Sequence, residues 1–466
     1  MIGSRVVAAA AVAFGAALGV VVVAPPQPPV VRLYHDNPEH LWNRLHATLF
    51  VRAAADGREY GGDRVDPLLW IGSKYLLQGL SHERAVRLLT EFVDTHGETL
   101  IVDPLKRAML QRDLWSVFDW LEDIHGNFEK PRLSAEDVRR GAQSLRPLLA
   151  AAIARLALTP EQISALPAND RGAPAAVGFP PDLFATGGPW VSVGRSDGPM
   201  APRHLNDSGT GKNSVFLVLI RLPDGRGATL KYLERLRAFD GPLWLDDPAL
   251  GQFHTPYPNP DLPQFPPGTQ VALVRRALLV DSTGKVSPTR LTEQVQLRVY
   301  RSIEKMTPQV FADAHRIEES MFARAGQDFE EFSLSRAALF AGRPSLLPLG
   351  AVEPFFLTFS AKGFDPFEMP REGRPFGMDP ERARRICKDC HGAPGVYSVN
   401  SFVPFRLMNG PNAAGAPKLS EISLADAERV AVAWKQQRPE WRVLQSLLRR
   451  YPRPHVGHGF SRHDLM

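Results

Sequence analysis

The spacing of apolar residues changes part-way along this 466-residue chain, and that change sets its fold class. Up to about residue 165, apolar side chains recur at steps of three and four, the spacing that lines one face of a helix. Leu41, Leu45, Leu49 and Phe50 share such a face between His40 and Ala54. Ser81 reads as an N-cap for a helix carrying Val86, Leu88, Leu89 and Phe92. Leu105 to Ile124 groups Leu110, Leu114, Val117, Phe118 and Leu121, and Ser134 opens a further helix with Glu136 and Asp137 in its first turn. Beyond residue 210 the pattern shifts. Val215 to Ile220 is the short apolar run of a buried strand. Gln270 to Asp281 and Arg290 to Tyr300 are rich in β-branched residues and flank Ser282-Thr283-Gly284-Lys285, which predicts a hairpin. Phe329 to Phe332 and Phe355 to Phe359 are further strand candidates, with a helix expected near 308–325.

The expected fold is therefore multidomain α+β. An export or anchor segment with its spacer occupies 1–30, an all-α domain 36–165, a linker or irregular cap 166–210, a β-rich domain 211–370, and a small all-α segment 371–466. Gly241 to Gly268 holds eight prolines and should lack regular structure. In the last segment, Asp379 suits an N-cap and Pro380 a first helical position, so a short helix should run to about His391. Leu424 to Gln437 reads as an amphipathic helix with Ala427, Val430, Ala433 and Trp434 on one face.

Apolar residues make up 44% and charged residues 23%, the balance of a globular protein rather than a disordered one. The net charge of +5 is spread without a run of five basic residues, which argues against nucleic acid and suits an acidic redox partner. Val6 to Ala24 is 19 residues of apolar side chains and glycine following Arg5, long enough to span a bilayer. Pro25 follows at once and disfavours cleavage there, and Pro25 to Pro29 forms a stiff spacer. The reading is export to the periplasm or cell envelope, with residues 6–24 as an uncleaved inner-membrane anchor in preference to a removed signal peptide.

Cys387 and Cys390 are the only cysteines, and His391 follows them directly. Cys-x-x-Cys-His is the attachment pattern of c-type haem: two thiols for thioether bonds and an imidazole for the iron. A thiol oxidoreductase would place a helix after the first cysteine to lower its pKa, whereas here the expected helix precedes it. A structural zinc site needs a fourth ligand and usually a second cysteine pair, which this chain lacks. One covalent haem c per chain is the expected cofactor.

From about Met378 to the end, the order of parts resembles a class I cytochrome c domain: a short helix bearing the motif, a loop-rich stretch, and a terminal helix with an aromatic residue. The resemblance implies Cys387 and Cys390 as thioether positions, His391 as proximal iron ligand, and Trp434 as the packing aromatic. It also implies a distal methionine, for which Met408 is the candidate, although its 17-residue separation from His391 is short for that family. His455, His458 and the more remote His315 are alternatives, and an open position is a third. No family is indicated by residues 36–370.

Weaker features have ordinary explanations. Asn206 to Asn213 faintly resembles a phosphate loop but lacks its first glycine and leads into a strand. His35, His40 and His46, with Asp36, stand at steps that do not share one helix face. Asp63, Asp66, Asp246 and Asp247 fit turn chemistry, and Trp115 and Trp120 fit a helix core. The functional expectation is an exported monohaem c-type cytochrome for one-electron transfer, with a large N-terminal binding or scaffolding region. The alternatives are a peroxidase-like haem oxidoreductase and a structural or sensory haem-binding surface protein.

Overall fold

The computed structural model describes residues 30–53, 59–65, 67–70, 73–123, 133–170, 178–206, 212–245, 257–303, 326–349, 367, 394–403 and 418–451. Its helical segment comprises α1 (Leu41–Phe50), α2 (Gly79–Asp94), α3 (Pro104–Asp123), α4 (Ala135–Leu156) and α5 (Pro160–Ser164). A two-residue ladder, β1 (Arg52–Ala53) with β2 (Glu59–Tyr60), interrupts it. Ser134 caps α4 by accepting from the Asp137 amide at 3.1 Å, with Glu136 and Asp137 placed favourably at the positive end of the helix dipole. Ser81 does not cap α2. That helix begins at Gly79, and the Ser81 hydroxyl donates to the Tyr75 carbonyl instead.

The rest is organised by a seven-stranded antiparallel sheet, in the order β10-β9-β8-β7-β4-β3-β11. These are β3 (Val191–Arg195), β4 (Ser214–Arg221), β7 (Gln270–Val280), β8 (Val286–Tyr300), β9 (Gln327–Leu334), β10 (Leu346–Pro348) and β11 (Leu419–Glu421). The proline-rich stretch contributes only the two-residue ladder β5 (Trp244–Leu245) with β6 (Tyr257–Pro258). Around the sheet lie α6 (Pro202–Asn206), α7 (Gly225–Ala238), α8 (Arg336–Phe340), α9 (Leu424–Gln437) and α10 (Pro439–Leu448).

The hairpin β7–β8 forms where β-branched residues flank a turn. Asp281 organises that turn, its carboxylate accepting from the Thr283 and Lys285 amides at 2.8 and 3.0 Å and from Ser287 Oγ at 2.8 Å. Gly284 supplies the left-handed backbone the turn requires, at φ +78°. Burial raises the Asp281 pKa, but these hydrogen bonds outweigh it and leave the group below its ordinary value.

β4 is buried on both faces. Val215, Leu217 and Leu219 belong to a large core with α1 to α4, while Val218 and Ile220 join a second core with Tyr232, Leu233 and Leu236 of α7. The alternation follows from successive strand side chains pointing to opposite faces. The larger core also takes in Trp441, Leu444 and Leu448 of α10, so the helical segment, the sheet and the C-terminal helices share one apolar cluster.

Three further expectations change at this level. Residues 166–210, expected as a linker or irregular cap, contain β3, an inner strand of the sheet. The described part of 371–466 is not all-α, because Leu419–Glu421 pairs with β3 as an edge strand. Three- to five-residue strands are too short to show a period. Finally, α9 buries Ala427, Ala431 and Lys435, while Ala433 is exposed and Val430 and Trp434 are half-buried. A lysine on the inner face rotates the apparent apolar stripe. Phe329 to Phe332 lies in β9, whereas Phe355 to Phe359 and 308–325 lie outside the described residues.

Candidate functional site

Cys387, Cys390, His391 and Met408 lie outside the described residues, as do His315, His455, His458 and residues 6–24. Pro394, three residues after His391, opens a firmly held segment. Gln264 grips the chain there at two points: its Oε1 accepts from the Val396 amide at 2.7 Å, and its Nε2 donates to the Pro394 carbonyl at 3.4 Å. A 3₁₀ turn then runs from Gly395 to Ser398. The Tyr397 hydroxyl donates to the Asn259 carbonyl at 2.7 Å, Arg298 Nη1 donates to the Ser398 carbonyl at 3.1 Å, and the Tyr300 and Ser398 hydroxyls lie 2.5 Å apart. Val396, Val399, Phe402 and Val403 are buried in the α7-side core, where Phe265 packs against Tyr232, Tyr300 and Phe402.

A second anchor stands before the motif. Phe367 lies against the buried Arg52 guanidinium, 4.5 Å from its ring centroid, and Tyr75 covers the same guanidinium at 4.0 Å. Tyr60 meets Phe367 edge-on at 5.9 Å. Arg52 Nη1 also donates to the Leu69 carbonyl and Ser73 Oγ, each at 3.2 Å, which fixes the cation between the rings.

A set of buried charged groups gathers around α3. Arg112 Nη2 donates to Glu293 Oε2 at 3.1 Å, and Ser214 Oγ donates to the same oxygen at 2.8 Å. Burial raises the Glu293 pKa, but Arg112 and Arg275 outweigh it and hold the carboxyl below its usual range. Asp113 takes both arms of Arg336, at 2.5 and 2.9 Å. Further along the helix, Asp119 Oδ2 accepts from Lys435 Nζ at 2.7 Å, and Glu440 Oε1 accepts from the same amine at 3.2 Å. Burial dominates at Asp119 and pushes its pKa up to about 6, against the attraction of Lys435. These charges neutralise one another in the interior, where removing one partner is costly. Sequence reasoning passed over them because Gln111, Arg112, Asp113, Ser116 and Asp119 read as the polar side of an amphipathic helix. All five are buried.

The other sequence candidates separate. His40 caps α1, its Nδ1 accepting from the Trp42 amide at 3.2 Å, and its ring stacks on His35 at 4.6 Å. His46 instead is fully buried, with Nε2 2.7 Å from the Gly62 carbonyl and 3.1 Å from that of Gly61. Two carbonyl acceptors place the proton on Nε2, and burial lowers the pKa to about 4, so the ring is neutral. Lys212 and Asn213 of the phosphate-like stretch are buried towards α3, with Asn213 Nδ2 donating to the Arg112 carbonyl at 3.2 Å. Asp63 accepts from Ser335 Oγ and the Ala337 amide at 2.6 and 2.7 Å, and so supports the N-cap that Ser335 gives α8. Trp115 and Trp120 are core residues. Asp66, Asp246 and Asp247 lie outside the described residues. Among the described residues, no group of three His, Cys, Asp or Glu side chains is placed to hold a metal ion, and no helix is long and apolar enough to cross a membrane.

A scan of protein-family models finds no match to this chain, and neither curated proteins nor solved structures supply one.

Proposed function

We propose that this chain is an exported c-type cytochrome that carries one haem and transfers single electrons. The observation that carries the reading is Cys387-x-x-Cys390-His391 as the chain's only cysteine pair. Its donor set fits the group: two thiols at thioether spacing and an imidazole beside them. Haem, when bound, supplies a one-electron iron couple.

The protein's own part in this reading is to tether and position. Only three residues of sequence separate His391 from Pro394, whose carbonyl Gln264 grips. The aromatic cluster of Phe265, Tyr232, Tyr300 and Phe402 gives the tether a rigid base. Met408 would supply a second iron ligand, with Met200 as another sulfur candidate because Met200 shares the apolar cluster of Val399 and Phe402. The proposal rests on the motif, not on a separate class I domain. Export and an inner-membrane tether through residues 6–24 belong to the same reading, since attachment and function would share that compartment.

The test is a pyridine haemochrome spectrum of protein matured with the attachment machinery. A c-type spectrum that survives acid-acetone extraction, and is lost in Cys387→Ala/Cys390→Ala, is the expected result. Protein matured in this way without haem would overturn the reading. The weak far-red charge-transfer band of methionine-ligated ferric haem should vanish in Met408→Ala; its persistence there, and loss in Met200→Leu, would reassign the ligand.

A further inference from the structure

We infer that the exposed face of α10 is a docking surface for an acidic protein, and that it serves the electron exchange proposed above. Arg438 stands at the N-cap, Arg442 follows on the helix, and Arg449 is its C-cap. Seven residues are nearly two turns, so Arg442 and Arg449 share one face about 10 Å apart. Ser446 and Gln445 lie between them, and the single acidic residue from 438 to 451, Glu440, is buried against Lys435. Arg442 and Arg449 are exposed, and neither has an ion-pair partner among the described residues.

Helix electrostatics account for part of this stripe only. Arg449 lies at the C-terminal end of α10, where a cation is favoured. Arg442 is the fourth helical residue, its amide donating to the Arg438 carbonyl at 3.2 Å, so the dipole does not favour a cation there. Its exposed guanidinium, with no internal partner, faces the solvent.

The stripe is also connected to the chain beyond the motif. The Arg438 guanidinium sits 4.9 Å over Trp434. Trp434 packs against the cluster of Ala201, Leu205 and Phe216, and the Ala201 amide donates to Ser401 Oγ at 3.0 Å. Ser401 is ten residues beyond His391. A partner seated on α10 therefore stands on the structural unit that anchors the proposed haem segment.

The chemistry selects a carboxylate-bearing protein. Guanidinium groups bind carboxylates in paired, planar geometry. Trp441, Leu444 and Leu448 of α10 face the core, and Val443 and Leu447 pack half-buried against it, so the exposed face keeps little apolar surface to enter the acyl boundary of a bilayer.

The experiment measures association of the full chain with an acidic [2Fe–2S] ferredoxin as probe, at low and high ionic strength. Arg442→Glu/Arg449→Glu should lower the association rate at least about tenfold at low salt, and high salt should erase most of the difference. Lys231→Glu/Arg237→Glu on α7 changes net charge equally and should leave the rate within about twofold. Equal loss in both variants, or no salt-dependent binding by the wild type, would overturn the inference. So would binding to phosphatidylglycerol vesicles through Arg442 and Arg449 without binding the probe. Haem content is determined on the same samples. Binding by protein that stays haem-free after maturation with the attachment machinery would refute the cytochrome reading and keep the surface; haem-loaded protein that does not bind would refute the surface alone.

Discussion

Replacing Lys435 by methionine keeps the aliphatic stem and removes the charge that two buried carboxylates share. The amine is 2.7 Å from Asp119 and 3.2 Å from Glu440, and the lysine side chain has no solvent exposure. At an effective dielectric of about 20, each contact is worth on the order of 5 kcal/mol before desolvation. Breaking a buried pair from one side costs about 3–5 kcal/mol. Lys212 remains near both carboxylates and Arg438 near Glu440, so the lower end, about 3 kcal/mol, is expected at pH 8.

The signature is in the pH dependence. Asp119 already has a folded pKa raised from 3.8 to about 6, so the folded state binds the proton more readily than the unfolded one. Stability from this group is fully present below the unfolded value and is lost as pH rises to about 6. In Lys435→Met the folded pKa rises further, and the loss continues above 6 by up to about 1.4 kcal/mol per pH unit. Urea unfolding followed by tryptophan fluorescence reads this directly, since Trp115 lies 5.3 Å from the amine and packs on Trp441. The destabilisation should be largest at pH 8, shrink towards pH 6, and be mostly recovered in Lys435→Met/Asp119→Asn/Glu440→Gln. A cost below about 1 kcal/mol, or one independent of pH between 6 and 8, would refute the argument.

His46 provides a pH effect of opposite sign. Its folded pKa is lowered from 6.5 to about 4, so its stabilisation is present above 6.5 and lost as pH falls towards 4; His46→Gln should flatten that acid limb in a stability–pH profile. Asp281→Ala removes the acceptor that orders the β7–β8 turn and should cost about 1–2 kcal/mol in equilibrium unfolding; no measurable loss would mean that Gly284 suffices. Gln264→Leu should raise amide hydrogen exchange at Val396 at least tenfold, because that amide's partner is the Gln264 carbonyl oxygen; unchanged exchange would show that apolar packing alone holds the segment. Phe402→Ala should cost about 3–5 kcal/mol by leaving a cavity beside Phe265, read as a shift in the unfolding midpoint.

Long elements were legible from sequence because their signals are local. Leu424–Gln437 has the bounds its period indicates, and Asp281 to Lys285 turns where β-branched runs stop. Short strands were not, since β3 and β11 acquire their extended form from neighbours rather than from a repeat of their own. Around the motif the division is similar. Cys-x-x-Cys-His is readable at once, whereas Gln264, Asn259, Tyr300 and Phe265 stand about 90–130 residues earlier and meet the chain after it through long-range contacts alone. Phe367 and Arg52 are separated still further.

By itself, the sequence determined the mixed α+β character, the major hairpin, the long helices, and the one residue pattern that points to haem, because each is written in adjacent or periodic side chains. Tertiary structure decided the rest. It put the helical segment and the sheet against one core, turned the polar residues of α3 inward to meet Glu293, Arg336 and Lys435, and rotated the buried face of α9 by bringing an acid to a lysine. A charge is placed inside or outside by whether a partner arrives there, and those partners lie as many as 316 residues away, beyond the reach of any local pattern.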